Sequence, residues 1–356
     1  MNVTVRSTDL ARELAFLERL LSKWPTLPVL NNALIQSHEG WLHMSATDLE
    51  TALVTSCQAS IETDGVITLP VKKLHDLAKS LPDADINIFK DQRGIRVTSG
   101  AFNSRLQTLP PEDFPQIAAM EGDVVTLQRH VLRELAAKVH YAIPTKSARS
   151  LIQGALLTLP ENAMSLVATD THRLSIAAGT RTGGAAPSIV IPRGTLEALT
   201  NMVTDSGDGE LSYSCSERHM FFEVDGRLLV SRRLEGQFPA YQRVLPKENT
   251  KIAKIERLGF ITMLQRCVLI SDAITIAVDA NSLAVAAVSK DVGDALETMA
   301  CEYEGERAEV SLNGKYALEW LEAARGSSIT LSLGNDKAPA LLTDDNYVGV
   351  IMTRRK

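Results

Sequence analysis

Ala46-Thr47-Asp48 returns as Ala168-Thr169-Asp170, 122 positions further along the chain. Leu69-Pro70 returns as Ile191-Pro192, again 122 on, and Leu312-Asn313 follows after a further 121. Phe114-Pro115 returns as Phe238-Pro239 at a spacing of 124. Solenoid units repeat every 20 to 50 residues or so and bury no core alone, so copies of this length read as whole domains. Three copies nearly exhaust the 356 residues, which places the domains at 1–120, 124–245 and 250–356. The intervening linkers, Gln116–Asp123 and Pro246–Ile252, are short.

Each copy is expected to open with an amphipathic helix. Leu10, Leu14, Leu17 and Leu21 recur at helical steps in the first, with Thr8 or Asp9 available to cap the start. Leu132, Leu135, Val139 and Ala142 do the same in the second, and Leu258, Ile261, Leu264 and Val268 in a third helix from about Glu256 to Ile270. A second helix follows the Leu-Pro, Ile-Pro or Leu-Asn element, at Val71–Leu81, Arg193–Val203 and Gly314–Ala324. Proline suits a helix entrance because its missing N–H has no intrahelical partner there. Between the helices, Leu42–Ala46, Ala52–Cys57, Met164–Ala168, Leu174–Ala178, Phe221–Val224, Leu228–Ser231 and Ser282–Val288 read as strands. Two helices and several strands per copy make an α+β fold of three repeated domains with antiparallel sheets.

Charge refines the functional reading. The net value of −6 counts against nucleic acid as a partner, but it is unevenly spread. Residues 1–123 carry −5, residues 124–245 carry +2 and residues 246–356 carry −3. On the first helix Arg12, Arg19 and Lys23 fall on one stripe away from the leucines. His130, Arg133 and His140 stack similarly in the second copy; Lys72, Lys73 and Lys79 crowd the second helix of the first; Arg257 and Arg266 lie on the first helix of the third. Basic stripes at matching places would touch phosphates without reading bases. A solvated helix face is the better explanation of any one of them alone, and only their recurrence favours DNA.

The remaining composition excludes more than it assigns. No basic segment leads into an apolar run at Met1-Asn2-Val3-Thr4-Val5-Arg6, and no stretch reaches the roughly 18 apolar residues of a membrane span, so a cytoplasmic chain without membrane association is expected. Cys57, Cys215, Cys267 and Cys301 are scattered, which reads as free thiols and neither zinc site nor disulfide. No cofactor or metal is expected. Asp170 and His172, at i and i+2, would share a face of a strand and form an acid–base pair, but no nucleophile, P-loop or metal motif completes a mechanism.

That same segment, Thr169-Asp170-Thr171-His172-Arg173-Leu174, together with Gly236-Gln237-Phe238-Pro239-Ala240-Tyr241-Gln242-Arg243-Val244-Leu245-Pro246, resembles the bacterial sliding clamp family, the beta subunit of DNA polymerase III. The family pattern is T-D-[GS]-H-R-L followed by G-x-[FY]-P-[DN]-Y-x-[RK]-[VL]-[IL]-P. Pro25-Thr26-Leu27-Pro28-Val29-Leu30 resembles its P-[TI]-[LM]-P-[IV]-L signature. The resemblance spans the whole chain.

It implies a non-catalytic processivity factor: a head-to-tail homodimer closed into a ring of six domains around duplex DNA, with helices lining the hole. Lys23, Lys146 and Arg149 match positions the family uses near DNA, while Trp24 stands where arginine is common and offers a face on which a base can stack. The resemblance also implies a hydrophobic groove between the second and third domains for Q-L-x-L-F-like peptides of the DNA polymerase III alpha subunit, the clamp loader delta subunit and other motif-bearing proteins. Its carried-over members are Ile152, Thr169, Thr171, His172, Arg173, Leu174, Pro239, Arg243, Val244, Asn313, Tyr316, Val348 and Met352. Leu174, Val244, Val348 and Met352 would form the floor, and Arg173, Arg243 and His172 the rim. Across the ring contact, Ser104 and Leu106 of one subunit would face Leu269 and Ile270 of the other. The tail, Val350-Ile351-Met352-Thr353-Arg354-Arg355-Lys356, departs from the family's M-P-[MVG]-R-L ending. That departure keeps open a specialised clamp paralogue (plasmid, phage or restricted partner set) with a retuned groove.

Overall fold

The computed structural model describes residues 1–22, 25–81, 83–91, 93–146, 150–335 and 338–354. Each repeat runs strand, helix, strands, helix, strands. The first comprises β1 (Asn2–Arg6), α1 (Ser7–Leu20), β2 (Asn32–His38), β3 (Trp41–Thr47), β4 (Thr51–Gln58), β5 (Ser60–Thr63), β6 (Gly65–Pro70), α2 (Val71–Ser80), β7 (Asp85–Asp91), β8 (Gly94–Ser99) and β9 (Phe102–Leu106). The second comprises β10 (Val125–Gln128), α3 (Arg129–Val139), β11 (Gly154–Leu159), β12 (Ala163–Thr169), β13 (Arg173–Thr180), β14 (Ala186–Pro192), α4 (Arg193–Asp205), β15 (Glu210–Cys215), β16 (His219–Val224) and β17 (Arg227–Arg232). The third comprises β18 (Lys251–Glu256), α5 (Arg257–Val268), β19 (Ala273–Asp279), β20 (Ser282–Ser289), β21 (Gly293–Ala300), β22 (Ala308–Asn313), α6 (Gly314–Ala323), β23 (Ser328–Leu333), β24 (Ala340–Asp344) and β25 (Tyr347–Ile351).

The helices lie where apolar periodicity put them: Leu10, Leu14 and Leu17 are buried on α1, Leu132 and Leu135 on α3, and Ile261 and Leu264 on α5. Leu258, expected inward, is 60% exposed in the first turn of α5, and Phe260 is buried there instead. The helix entrances differ from expectation. Neither Thr8 nor Asp9 caps α1, which begins at Ser7 with the extended residue Arg6 as its N-cap and no side-chain bond. Pro70 and Pro192 end the strands β6 and β14 just before their helices and do not stand inside the first turn. Asn313 and Glu256 do cap, accepting from the N–H groups of Lys315, and of Leu258 and Gly259.

The strands form four antiparallel sheets, ordered β5-β1-β7-β8-β9, β10-β15-β16-β17-β4-β3-β2-β6, β14-β11-β12-β13-β25-β24-β23-β18 and β21-β20-β19-β22. Each eight-stranded sheet fuses two four-stranded ones from neighbouring repeats. One seam is β17 on β4, with Val230 opposite Ala52; the other is β25 on β13, with Val350 opposite Leu174. This explains why the chain packs as two compact units, Met1–His130 with Gly194–Arg233 and Val131–Arg193 with Leu234–Lys356. The division runs through the second repeat because half of its strands join the sheet of the first repeat and half that of the third.

Candidate functional site

The site begins as a turn. Between β12 and β13 the Thr169 hydroxyl donates to the Arg173 carbonyl at 2.6 Å and accepts from the Thr171 N–H at 3.1 Å. The Asp170 carboxylate accepts from the N–H groups of His172 and Arg173, both at 2.9 Å. Thr171 takes the left-handed conformation, φ 77°, that closes the turn. Threonine and aspartate serve here because short oxygen-bearing side chains can bond their own backbone two or three residues on. Asp170 and His172 are therefore turn residues, not neighbours on a strand, and the carboxylate is already engaged. The acid–base pair that their spacing allowed is not formed.

Arg173 is the hub of the site. Its guanidinium bonds Asp170 at 3.0 Å, the Glu319 carboxylate on α6 and the Tyr141 carbonyl at 2.5 Å. It also lies over the rings of Tyr316, 4.3 Å from the centroid, and Tyr141, 4.9 Å away. With its side chain only 11% exposed, Arg173 is a wall holding α6 to the turn and not the open rim cation expected from the sequence. Tyr316 lies beneath it, and burial raises the phenol pKa. Asn313 is likewise committed, since its side-chain oxygen caps α6.

On one face of the sheet, Val167, Leu174 and Val350 form a buried apolar cluster against which Phe238, Tyr241, Leu245, Leu156, Ile176 and Leu341 pack. Period-two alternation puts Leu156, Val167, Leu174, Ile176, Val350 and Leu341 on one side of five adjacent strands, with Val348 opposite Ile176 on the same side. The floor thus differs from expectation. Val244 and Met352 are 41% and 39% exposed, while Val167, Val350 and the rings of Phe238 and Tyr241 supply the apolar surface that the sequence reading missed. Pro239 and Arg243 are exposed beside Tyr241, His172 is exposed at the turn, and Ile152 is buried. Gly236 (φ 113°) lets its segment approach Leu151, whose Cδ1 a Cβ would meet at 2.9 Å. The Met352 N–H bonds the His172 carbonyl at 2.9 Å, extending the seam past β25 to the edge of this face.

The described geometry is that of a known group of proteins. Residues 1–118, 126–240 and 242–354 match, in order, the N-terminal, central and C-terminal domains of the DNA polymerase III beta subunit. The chain belongs to this family, the bacterial sliding clamps. It is 29% identical to the beta sliding clamp of Pseudomonas putida over 372 residues, covering 100% of both chains. It is 28% identical to that of Synechocystis sp. over 373 residues, covering 96% of this chain and 95% of the relative. The crystal structure of the DNA polymerase III subunit beta from Pseudomonas aeruginosa superposes with a TM-score of 0.95 at 26% identity and full coverage of both chains. That of the Bartonella birtlesii clamp bound to griselimycin gives 0.95 at 28%, again over all of both chains. The chain is thus a DNA sliding clamp of three repeated α+β domains and not an enzyme, and nothing in these likenesses favours a specialised paralogue.

The clamp's basic helices are partly neutralised. Arg12 pairs with Asp9 at 3.2 Å and with the buried Glu13 at 3.0 Å, and Arg19 with Asp205 at 3.5 Å. Lys79 joins Arg12 and Arg19 along a cleft between α1 and α2, while Lys72, Lys73 and Lys146 are exposed and Arg133 is half-buried. Two basic residues of the third repeat have structural work instead. Arg257 bonds the Gly326 and Leu321 carbonyls at the end of α6, and Arg266 holds Glu297. Lys23, Trp24 and Arg149 lie outside the described residues. At the expected ring contact, Leu269 is 78% exposed, and Ser104, Leu106 and Ile270 are half-buried. No helix among the described residues is long and apolar enough to cross a membrane.

Proposed function

We propose that two copies of this clamp close head to tail around duplex DNA, and that the groove floored by Leu174 tethers polymerases to it. In this reading the ring is built of domains 1–120, 124–245 and 250–356 of each copy. One observation carries it. The two eight-stranded sheets share one strand plan, and the two smaller sheets are its separated halves. Placing β21 beside β9 gives the order β22-β19-β20-β21-β9-β8-β7-β1, with the short extra strand β5 beyond β1, and its first eight strands are the counterpart of β14-β11-β12-β13-β25-β24-β23-β18. Among the described residues both β21 and β9 are unpaired edges, and a strand edge recruits a partner strand. Each copy thus contributes one half-joint at either end, and two such joints close the ring.

Carrying the register of β13 on β25 across, Gly293 faces Leu106, Ala295 faces Ser104 and Glu297 faces Phe102. DNA held by encirclement needs only loose phosphate contacts, which a net charge of −6 and half-neutralised helix arginines allow. The partners that this reading assigns to the groove are the DNA polymerase III alpha subunit, the clamp loader delta subunit and other carriers of Q-L-x-L-F-like motifs. His172, Pro239, Arg243, Val244 and Met352 edge the groove, and the exposed Lys72, Lys73, Lys79 and Lys146 face the duplex.

The test is a Ser104→Cys, Ala295→Cys double variant under mild oxidation. Directly opposed cross-strand residues sit within disulfide reach, so the double variant is expected to give covalent dimers that stay linked to circular DNA after denaturation. Cross-linking no faster than in either single variant, or a protein monomeric at micromolar concentration, refutes the ring.

A further inference from the structure

We propose that the first seam, β4 with β17, carries a second peptide groove, and that it takes an extended acidic segment of a partner protein bearing leucine side chains. The two seams correspond in detail. Between β3 and β4 the Thr47 hydroxyl donates to the Thr51 carbonyl at 2.9 Å, and Asp48 accepts from the N–H groups of Glu50 and Thr51 at 2.9 and 2.7 Å. Leu49 takes the left-handed conformation, φ 78°, as Thr171 does at 77°. The Arg232 N–H bonds the Glu50 carbonyl at 2.9 Å, as Met352 does His172. Phe114-Pro115 precedes this seam's covering segment as Phe238-Pro239 precedes the other.

The difference lies in filling. Where the other seam has Leu174, this one has Ala52, and a cavity of about 240 Å³ opens over Ala52 and Val230, walled by Ile117 and Ala118. Phe221 is the buried base of the same cluster. The recess is apolar at Ala52, Val230, Ile117 and Ala118 and polar at its mouth, which suits the tip of an aliphatic side chain whose backbone stays in the polar rim.

The mouth selects charge. Glu50 and Arg232 face each other across it at 4.0 Å, 70% and 63% exposed, and so exposed a pair contributes only about 0–1 kcal/mol. An incoming carboxylate therefore displaces Glu50 from Arg232 at little cost. His219 lines the same mouth beside Arg232, whereas Arg233, the next residue, commits its guanidinium to the Ser216 carbonyl at 2.6 Å. Arg232, so weakly held, is the group at the mouth that an incoming carboxylate can pair with, and this favours an acidic segment.

The probe is a fluorescein-labelled peptide of glutamates flanking two leucines, titrated with the full-length dimer while unlabelled Q-L-x-L-F peptide saturates the other groove. Saturable micromolar binding is expected. It should weaken at least tenfold in Arg232→Glu, in Ala52→Leu, and when lysine replaces glutamate or serine replaces leucine in the peptide. Retained binding of labelled Q-L-x-L-F shows that each variant is folded and reads the first groove independently. No saturable binding, full competition by Q-L-x-L-F, or an unchanged Kd in both variants overturns the proposal.

Discussion

Replacing Arg173 by alanine would remove a largely buried cation from between two carboxylates, a carbonyl and two aromatic rings. Breaking a buried ion pair from one side costs about 3–5 kcal/mol because the other charge stays behind without its partner. Two features of the structure place Arg173→Ala at the lower end. Glu319 is 43% exposed and regains water, and Asp170 keeps its two backbone N–H donors. Loss of stacking on Tyr316 and Tyr141 acts in the opposite direction by about 0.5–2 kcal/mol. The sum is about 4 kcal/mol, which at roughly 2–4 °C per kcal/mol for a unit of this size lowers Tm by about 8–16 °C. Arg173→Lys keeps charge but neither fork nor stacking plane, so about half the loss should remain. Scanning calorimetry measures both shifts, and Q-L-x-L-F binding is read in parallel well below Tm. A Tm within 2 °C of the parent combined with abolished peptide binding would refute the reasoning, because it would place Arg173 on the ligand and not in the wall.

Three further outcomes follow from buried groups. Burial alone would raise the pKa of Glu13, but bonds from Arg227, Thr55 and Arg12 outweigh it and hold the carboxyl below its ordinary 4.5. A depressed folded pKa contributes stability that is fully present above the unfolded value and lost as pH falls through the folded one. Tm should therefore be level above about pH 5 and fall towards pH 3, with a shallower fall in Glu13→Gln. Burial pushes the Cys57 thiol to about 12 and leaves it 4% exposed, so a thiol reagent at pH 8 should modify the half-buried Cys215 first and leave Cys57 intact until unfolding. A Cβ at Gly349 would collide with the Trp320 indole, which stacks 4.7 Å from Tyr347; Gly349→Ala should cost about 1–3 kcal/mol by thermal unfolding and change the tryptophan emission.

Much of this was legible because it is periodic or repeated. The leucines of α1, and the recurrence of Ala-Thr-Asp at 122 residues, report local geometry that any copy of the domain must reproduce. The Thr-Asp turn was visible as a motif, yet its meaning was not: Asp170 and His172 look like a reactive pair until the backbone bonds that consume the carboxylate are seen. The groove floor was harder still. Val350 joins Leu174 only through a register set by residues 176 positions away, and Val244 differs from Leu245 in exposure by a single step of a short turn. The fate of Arg257 and Arg266 was out of reach for a related reason. A helix face shows where an arginine starts, not which carbonyl or carboxylate its long side chain finds.

The internal repeat also shows how one joint is held by different chemistry. At the second seam the position after the turn is Arg173, reaching α6 through charge and ring stacking. At the first it is Thr51, whose hydroxyl meets Thr195 on α4 at 3.0 Å, and Thr195 in turn meets Ser231 at 2.8 Å. Charge has not left that seam but moved along α1, where Glu13 is bonded by both arms of Arg227 at 2.7 Å and Arg227 lies 4.3 Å from the Phe16 ring. Each internal seam thus spends one arginine and one buried or half-buried carboxylate on locking a helix to the strand beyond it. At the free edges the positions corresponding to Arg173 and Arg227 are Gly293 on β21 and Phe102 on β9, and neither offers a cation. If β21 and β9 form the third seam, it lacks this lock, and the joint between copies is the weakest of the three. A ring that must open to admit DNA requires its weak point there, so dimer dissociation should precede any loss of β4–β17 or β13–β25 amide protection in hydrogen exchange; the reverse order would sink the argument.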